Sequence, residues 1–457
     1  MTKDHTATVD LLLTRIDWLV LCDADMTVVE RGAVAVDGGV IVDAGPCDAL
    51  EARYRAREVV RLPGHLVMPG LVNTHVHAAM TLFRGIGDDL PLQTWLQEVI
   101  FPAEARHVDG AFVELGTVLA CAEMLLGGTT TFCDGYFFEE AAARAAARSG
   151  IRAVLGQGVL DFPSPDLKDP SRARARVEAF LEAAGSWPET LRPSLFCHAP
   201  YTCGPETLRW VKDLCRRRGI LFQIHVSETR WEVEEIERKY GKRPVFHLDE
   251  LGVLDSLTLC AHGVWLDEDE IGVLAERGAA VSHNVESNLK LASGMAPVAA
   301  LLRAGVPVGL GTDGCASNND LDLFSEMALT ARLHKAVTGD PTVCPARDVL
   351  RMATVHGARA VGLAHETGSL ESGKRADLIA LRIDQPHLTP LYDPISHVVY
   401  AARSSDVNHV WVDGRQVVRD GQLLTLDVPE ILREAERIAA AVRSDTHIWS
   451  DGSGNSV

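Results

Sequence analysis

Two histidines, His75 and His77, stand one residue apart at the end of the apolar run Met68-Pro-Gly-Leu-Val-Asn-Thr-His-Val-His. In an extended strand alternate side chains point to the same face, so these two imidazoles project together. Imidazole nitrogen is a common ligand of zinc and of related divalent metals. The spacing therefore predicts half of a metal site, although a strand end with two chance histidines gives the same pattern.

Further candidate groups follow later strand-like segments: His198, His225, Glu228, His262, His283 and Asp313. The predicted ligand set combines three imidazoles with one carboxylate: His75, His77, His225 and Asp313. Such a set holds one divalent ion, zinc by preference, with room for a water whose pKa falls toward neutrality. A second metal would ordinarily need a bridging group such as a carbamylated lysine on the fourth strand. That strand ends in Ser194-Leu-Phe-Cys-His and contains no lysine, so we expect one metal per subunit.

Glu228 lies three residues after His225, in the segment His-Val-Ser-Glu. This displacement lets its carboxyl group face a substrate while His225 faces the metal, which suits a general acid. Two histidines keep structural alternatives. His198 could be a core histidine bonded to a carbonyl, and His283 could orient another group or contact the substrate.

Strand-like and helical segments alternate through the middle of the chain and must position these groups. Strands are predicted at 66–77, 129–134, 152–160, 194–198, 221–226, 258–262, 279–283 and 306–312. Helices are predicted between them, at 140–149, 171–184, 205–218, 230–240, 267–277 and 297–304. This rhythm predicts a closed parallel (β/α)8 barrel, whose chemistry lies at the carboxyl ends of its strands. A doubly wound open sheet is the alternative, but no GxGxxG follows the first strand and no P-loop is present.

Short strands at both ends of the chain predict a second, all-β unit. Asp37-Gly38-Gly39 and Asp413-Gly414 each stand between apolar runs and are typical of hairpin turns. We expect the two ends to form one small β-sandwich, with the barrel inserted between its halves. The predicted boundaries are 1–66 and 369–457 for the sandwich and 67–368 for the barrel.

Composition limits the partners of this chain of 457 residues. Its 47% hydrophobic and 23% charged residues are typical of a soluble globular protein. The net charge of −19 argues against a nucleic-acid partner, because no basic excess is present to displace counterions. No signal-peptide pattern and no apolar run of about 20 residues is found, so no membrane partner is expected. Ten scattered cysteines predict reduced thiols in the cytoplasm. The oligomeric state stays open, and a homo-oligomer is compatible with the sequence.

Several longer motifs carry a family resemblance: Pro69-Gly-Leu-Val-Asn-Thr-His-Val-His, Ile224-His-Val-Ser-Glu, Gly311-Thr-Asp-Gly, Arg84-Gly-Ile-Gly-Asp-Asp-Leu-Pro, His198-Ala-Pro-Tyr-Thr-Cys and Glu286-Ser-Asn-Leu-Lys. On these residues the chain resembles the amidohydrolase superfamily, and within it the 5-methylthioadenosine/S-adenosylhomocysteine deaminases. The resemblance implies hydrolytic deamination of an adenosine-type nucleoside by a metal-activated water, with an inosine-type product and ammonia.

The resemblance also implies residue roles. His75, His77, His225 and Asp313 would be the zinc ligands, His262 and Asp313 would move the proton of the attacking water, and Glu228 would protonate the purine. Glu104 would accept the ribose hydroxyls, His198, Glu228 and Asp313 would contact the substrate, and Trp95 would wall the pocket. Phe101 and Val285 depart from the family pattern, which often has Trp and Pro there. Arg172, Arg174 and Arg176 are candidates for a homocysteine carboxylate, although arginines at this spacing are more often a solvated face.

Two other functions are alternatives to this one. The first is deamination or dechlorination of a free heterocycle, such as guanine, a pterin or an s-triazine, on the same scaffold. The second is a catalytically inactive scaffold, which predicts broken metal ligands, and none is broken here. A cytidine-type deaminase is excluded because the Pro-Cys-x-x-Cys ligand pair is absent. The preference among methylthioadenosine, S-adenosylhomocysteine and adenosine stays open.

Overall fold

The computed structural model describes residues 7–445, and its strands form two separate sheets. The strands are β1 (Ala7–Val20), β2 (Val28–Asp37), β3 (Val40–Pro46), β4 (Tyr54–Arg61), β5 (His65–Pro69), β6 (Leu71–Val76), β7 (Thr129–Tyr136), β8 (Arg152–Val159), β9 (Leu191–Cys197), β10 (Phe222–Val226), β11 (Thr258–His262), β12 (Ala280–His283), β13 (Val308–Leu310), β14 (Leu378–Arg382), β15 (Val407–Val412), β16 (Arg415–Arg419) and β17 (Gln422–Leu423).

Strands β6 to β13 form the first sheet, in which each strand pairs in parallel with the next one along the chain. The sheet is closed between its first and last strands by the N–H of Asp313, which donates to the carbonyl of His75 at 2.9 Å. The side-chain amide of Asn73 also donates to Thr312 Oγ1 at 2.8 Å. The predicted (β/α)8 barrel is therefore confirmed over the open-sheet alternative.

Helices either follow the barrel strands and pack outside them or connect and follow strands of the second sheet. They are α1 (Cys47–Arg53), α2 (Leu92–Thr94), α3 (Phe101–His107), α4 (Gly110–Leu126), α5 (Glu139–Ser149), α6 (Ala173–Ala184), α7 (Pro205–Arg218), α8 (Arg230–Tyr240), α9 (Pro244–Glu250), α10 (Glu268–Arg277), α11 (Val285–Lys290), α12 (Val298–Arg303), α13 (Cys315–Asn318), α14 (Leu323–Thr338), α15 (Ala346–Ala353), α16 (Val355–Ala360), α17 (Pro394–Tyr400) and α18 (Val428–Arg443). A π-helical turn, Trp95–Ile100, joins α2 to α3. Helices α7 and α8 begin and end where the sequence predicts them.

Gly70 divides the segment that the sequence predicts as one long first strand. The segment before Gly70 is β5 of the terminal sheet, and the segment after it is β6 of the barrel. A Cβ at Gly70 would lie 2.0 Å from Thr130 Oγ1, so only glycine lets the chain pass so close to β7. The prediction of a continuous strand is therefore wrong at this residue, and the break joins the two sheets.

The second sheet combines strands from both ends of the chain, as predicted. Its order is β17-β16-β15-β14-β5-β1-β2-β3, with β4 paired to β1. Both predicted hairpins are present: Asp37 pairs with Val40, and Val412 pairs with Arg415. Gly38 and Gly39 have φ of 57° and 77°, the left-handed values that a two-residue hairpin turn requires. The sheet has its own buried apolar cluster, which includes Leu13 from β1, Leu378 from β14 and Trp411 from β15.

The base of the barrel, at the amino ends of its strands, contains a buried ion pair. Arg152, the first residue of β8, is 2% exposed, and its Nε lies 2.6 Å from Asp377 Oδ2. Asp377 Oδ1 also accepts the N–H of Asp413 at 2.7 Å, and the carbonyl of Asp377 accepts the N–H of Gly70 at 3.0 Å. This pair therefore ties the barrel to the terminal sheet.

The predicted unit boundaries stay predictions, and residues 1–6 and 446–457 of the predicted terminal unit lie outside the described residues. Among residues 7–445, no helix has the length and apolar character needed to cross a membrane.

Candidate active site

The predicted site residues lie at the carboxyl ends of the barrel strands or in the segments that follow them. His75 is in β6 and His77 directly follows it, His198 follows β9, His225 is in β10, Glu228 lies in the turn after β10, His262 ends β11, and Asp313 lies three residues after β13. Trp95 and Glu104 lie in the long connection between β6 and β7. All of them line one cavity except His75, which lies beneath it at 1% exposure.

The ligating atoms of the four predicted metal ligands fall in two overlapping groups that share His75, one with His77 and Asp313 and the other with His225 and His262. Nε2 of His75 and Nε2 of His77 lie 3.4 Å and 3.3 Å from Oδ1 of Asp313. Nε2 of His225 lies 3.1 Å from Nε2 of His75. His262 belongs to the same cluster, because its ligating atom lies within 4.8 Å of those of His75 and His225.

The hydrogen bonding of His77 tests whether this cluster suits a cation. Its Nδ1 lies 2.6 Å from the carbonyl oxygen of Gly135, to which it donates its proton. In the neutral ring Nε2 then carries a lone pair, and this lone pair faces a carboxylate oxygen, which is also an acceptor. Burial lowers the pKa of His77, and lowers that of His75 to about 4, which favours neutral rings. The lone pair of His77 Nε2 and Oδ1 of Asp313 thus face each other without a proton between them, which fits a divalent metal.

Two serine hydroxyls hold the carboxylate of Asp313. Oδ2 accepts from Ser287 Oγ at 2.7 Å and from Ser317 Oγ at 2.8 Å, while Oδ1 accepts the N–H of Gly314 at 2.8 Å. Burial opposes ionisation of Asp313, but hydrogen bonding from His75 and the charge of neighbouring histidines hold its pKa well below the usual range. Oδ1 is therefore the oxygen presented to the histidine cluster.

Backbone strain accumulates at the same strand ends. His262 and Asp313 have φ of 72° and 62°, and Ser227 beside Glu228 has φ of 52°. Residues other than glycine adopt such values at a cost, and they cluster at functional sites where the surrounding structure enforces them.

Glu228 and His262 face each other across the cavity. Their nearest atoms, Oε2 and Nε2, lie 3.9 Å apart, and Ser293 Oγ lies 3.4 Å from Glu228 Oε1. Nδ1 of His262 lies 2.9 Å from Asn288 Oδ1, which accepts its proton. Burial raises the pKa of Glu228, whereas Glu228, Asp313 and Asn288 together outweigh burial and raise the pKa of His262. Both shifts favour the protonated form of the group.

Glu104 lies on helix α3 and is 6% exposed. Tyr136, the last residue of β7, donates its hydroxyl proton to Glu104 Oε1 at 2.6 Å. Burial raises the pKa of Glu104 to about 7. Together with Trp95, these residues line the cavity, which holds about 750 Å³ of space free of protein atoms, its open mouth included.

The two histidines with open alternatives differ in their surroundings. His198 lines the cavity, its ring centroid lies 5.0 Å from that of His225, and its Nδ1 is 3.0 Å from Thr202 Oγ1. His283 instead contacts His334 of α14, with the two Nε2 atoms 3.2 Å apart. His283 does not line the cavity.

Three residues that the sequence analysis did not select support the site: Asp134, Tyr136 and Glu232. Asp134 Oδ1 accepts the N–H groups of Ala78 and Gly135, both at 3.0 Å. It therefore fixes the residue that follows His77 and the residue whose carbonyl accepts the proton of His77 Nδ1. Burial raises its pKa to about 7. The sequence signal for Asp134 was its place as an acidic residue at the end of the predicted second strand.

Glu232 fixes the turn that carries Glu228. Its carboxylate accepts the N–H of Ser227 at 2.7 Å and that of Glu228 at 2.9 Å. Thr229 caps helix α8 by accepting the N–H of Glu232 at 3.2 Å. The spacing Thr229-x-x-Glu232 is a capping-box pattern and was a readable signal, although the carboxylate reaches the turn instead of the cap.

Comparison with known proteins gives consistent matches. The model of the amidohydrolase family matches residues 66–417. A 5-methylthioadenosine/S-adenosylhomocysteine deaminase of Syntrophobacter fumaroxidans is 49% identical over 95% of this chain and 98% of its own. A 5′-deoxyadenosine deaminase of Methanothermobacter thermautotrophicus is 45% identical over 90% of this chain and 95% of its own. The crystal structure of an adenosine deaminase from Xanthomonas campestris with bound zinc is 39% identical, with a TM-score of 0.93 over 96% of this chain and 99% of that one.

Proposed function

Because the chain belongs to the amidohydrolase family, we propose that it catalyses the hydrolytic deamination of an adenosine-type nucleoside. The products are ammonia and the 6-oxo nucleoside. The observation that supports this most is a shared cavity, in which a cluster of metal-ligating atoms, a buried acid at Glu228 and a buried carboxylate at Glu104 face the same space. This set provides for the water, the purine ring and the ribose of one substrate.

Four side chains would hold one divalent metal, zinc by preference: His75, His77, His225 and Asp313. Such a metal supplies a water of lowered pKa. The donor set of neutral imidazoles and one ionised carboxylate supports this assignment, as does the zinc of the Xanthomonas campestris structure. Gly135 orients the metal-ligating ring of His77, and the two serines orient the carboxylate of Asp313. Hydrogen-bond partners behind metal ligands usually have this role.

Protons would move between this chain's own groups and the substrate. Burial raises the pKa of Glu228, which favours its acid form, and Glu228 would donate its proton to N1 of the adenine ring. Asp313, with His262 beside it, would accept a proton from the attacking water and pass it to the leaving amine. His198, on the same side of the cavity as His225, would contact the purine.

Glu104 would select nucleosides by accepting hydrogen bonds from the ribose 2′ and 3′ hydroxyls. Tyr136 holds one of its oxygens, and Trp95 supplies an aromatic wall. Because a free base has no ribose diol, this carboxylate distinguishes the proposed activity from that of a free-heterocycle hydrolase on the same scaffold.

Ammonia release from a panel of substrates tests the proposal. We expect turnover of methylthioadenosine, 5′-deoxyadenosine or adenosine, and little turnover of adenine, guanine, a pterin or an s-triazine. Turnover of a free heterocycle without turnover of any nucleoside would contradict it. The cytoplasmic location and a homo-oligomeric state stay predictions.

A further inference from the structure

Apolar side chains form the part of the cavity next to Glu104. Ile100 and Phe101 lie four and three residues before Glu104 and so share its side of a helix. Phe137 and Leu160, each 9% exposed, complete this surface. We call these four residues, Ile100, Phe101, Phe137 and Leu160, the 5′ wall. At its outer edge the ring of Phe162 lies 6.2 Å from that of Phe101, so the apolar surface extends toward solvent.

The cavity lining contains no basic side chain besides histidine. Among residues 7–445, the other ionisable groups that line it are the carboxyl groups of Glu104, Glu228 and Asp313 and the hydroxyl groups of Tyr136 and Tyr201. A ligand that carries its own carboxylate would find no lysine or arginine here to pair with, which is unfavourable in a buried site.

None of the three arginines that the sequence suggested for a homocysteine carboxylate lines the cavity, and two of them contact other groups. Arg176 pairs with Glu140 at 2.6 Å and with Asp166 at 3.2 Å. Arg174 stacks over the ring of Trp210 at 4.7 Å. These contacts use the guanidinium groups within the outer helices and their loops.

Basic side chains near the mouth lie on the side of Glu228 rather than beside Glu104. Arg230 stacks over Trp265 at 4.6 Å, and Lys290 Nζ lies 2.6 Å from Asp88 Oδ1. Both line an open groove together with Ser293, which contacts Glu228, and this groove adjoins the cavity at Leu92 and Leu291. They therefore flank the purine side of the proposed substrate.

We propose that the 5′ wall selects nucleosides with a small, uncharged 5′ substituent, such as methylthio or hydrogen, over S-adenosylhomocysteine. This inference rests on the proposed function, since Glu104 must hold the ribose for the 5′ carbon to meet the wall. A methylthio group gains apolar contact there. The amino-acid tail of S-adenosylhomocysteine carries a carboxylate and an ammonium group, which the wall would leave unpaired or force into solvent.

The primary test compares kcat/KM of the metal-loaded enzyme on four nucleosides: 5′-methylthioadenosine, 5′-deoxyadenosine, adenosine and S-adenosylhomocysteine. We expect methylthioadenosine to exceed S-adenosylhomocysteine by about 10- to 200-fold, the range that a few apolar contacts provide. Equal or higher efficiency on S-adenosylhomocysteine would overturn the inference and leave the deaminase proposal intact. Ammonia release from none of the four would instead refute the proposed function.

Variants at Leu160 test whether the 5′ wall determines the preference for methylthioadenosine over S-adenosylhomocysteine. Leu160→Arg adds a guanidinium to the 5′ wall and should raise the efficiency on S-adenosylhomocysteine relative to methylthioadenosine about 10-fold or more. Val59→Arg is the matched control, because Val59 is 42% exposed on β4 of the terminal sheet, and its ratio should equal that of the wild type. An unchanged ratio in folded Leu160→Arg would contradict the role of the wall.

Leu160→Ala provides a second measurement if the arginine variant fails to fold. Removing this side chain should lower kcat/KM on methylthioadenosine about 3- to 30-fold, since apolar contact to the substituent is lost. The efficiency on adenosine should change less than about threefold. Equal losses on both nucleosides would mean that Leu160 only supports the fold, and would overturn its assignment to the 5′ wall.

Discussion

The two ends of the barrel treat buried charge in opposite ways. At the base, Arg152 and Asp377 form a close pair of opposite charges, both at most 2% exposed. At the mouth, buried imidazoles and carboxylates bring acceptor atoms together, as between His77 Nε2 and Asp313 Oδ1. Strand β8 runs between these two environments, with Arg152 at its first residue and Gly158 against the cavity.

This difference separates a structural role from a functional one. Opposite charges at the base satisfy each other and hold the two sheets together. Converging acceptors at the mouth, with pKa values displaced by burial, are unfavourable unless a cation or a substrate completes them. Substitutions at the mouth should therefore change chemistry more than stability, and substitutions at the base should do the reverse.

The largest expected effect is that of His225→Ala at the mouth. Removing one of three predicted imidazole ligands should abolish activity. The variant should also lose about one equivalent of bound metal, while the protein still folds. Elemental analysis of the purified variant and its circular dichroism spectrum check both parts. Full metal occupancy in the variant would refute the assignment of His225 as a ligand.

Glu228→Gln keeps the shape of the side chain and some of its hydrogen bonding but cannot donate the proton to N1. We expect turnover to fall about 10²- to 10⁴-fold, the usual range for a general acid, with metal content unchanged. Near-normal turnover would assign the acid role to another group.

Arg152→Met tests the structural role of the ion pair at the base of the barrel. It leaves the carboxylate of Asp377 buried without its partner, and we expect the free energy of unfolding to fall by about 3–5 kcal/mol. Turnover per folded, metal-loaded subunit should stay within about twofold of the wild type. Arg144→Met is the matched control: its pair with Glu114 is exposed, and its loss should cost about 0–1 kcal/mol. A loss of turnover without a loss of stability in Arg152→Met would remove the contrast between the two ends.

Glu104→Ala should give the smallest of these effects. A hydrogen bond to a charged acceptor contributes about 1.5–3 kcal/mol, so kcat/KM on methylthioadenosine should fall about 10- to 100-fold. Any turnover of a free base should change by less than about threefold, because a base has no diol to lose. The ratio of the two efficiencies is the readout, and an unchanged ratio would mean that Glu104 does not hold the ribose.

The sequence was sufficient for the features that depend on local pattern. Strand β11, Thr258–His262, was predicted to the residue, and so were helices α7 and α8, because apolar periodicity and glycine or proline ends define them. The histidines recur at the ends of predicted strands, and in a parallel barrel these strand ends lie together at one mouth. The sequence therefore predicted that the histidines lie close to one another.

The features that were missed depend on contacts between distant segments. The break at Gly70 follows from Thr130 on the neighbouring strand. Tyr136 acquires its role only because Glu104, from another connection, comes within 2.6 Å of it. His283 shares the pattern of the site histidines, yet helix α14 provides His334 on its other side. Contacts of this kind cannot be predicted from the residue spacing within one segment.

The most direct test of the central claim is a metal titration of the wild-type enzyme. Metal is removed with a chelator, zinc is returned in small increments, and ammonia release from 5′-methylthioadenosine is measured against bound metal. We predict that activity rises in proportion to bound zinc and reaches its plateau at about one equivalent per chain. Full activity in the metal-free protein, or a plateau that requires two equivalents, would contradict a deaminase built on one metal.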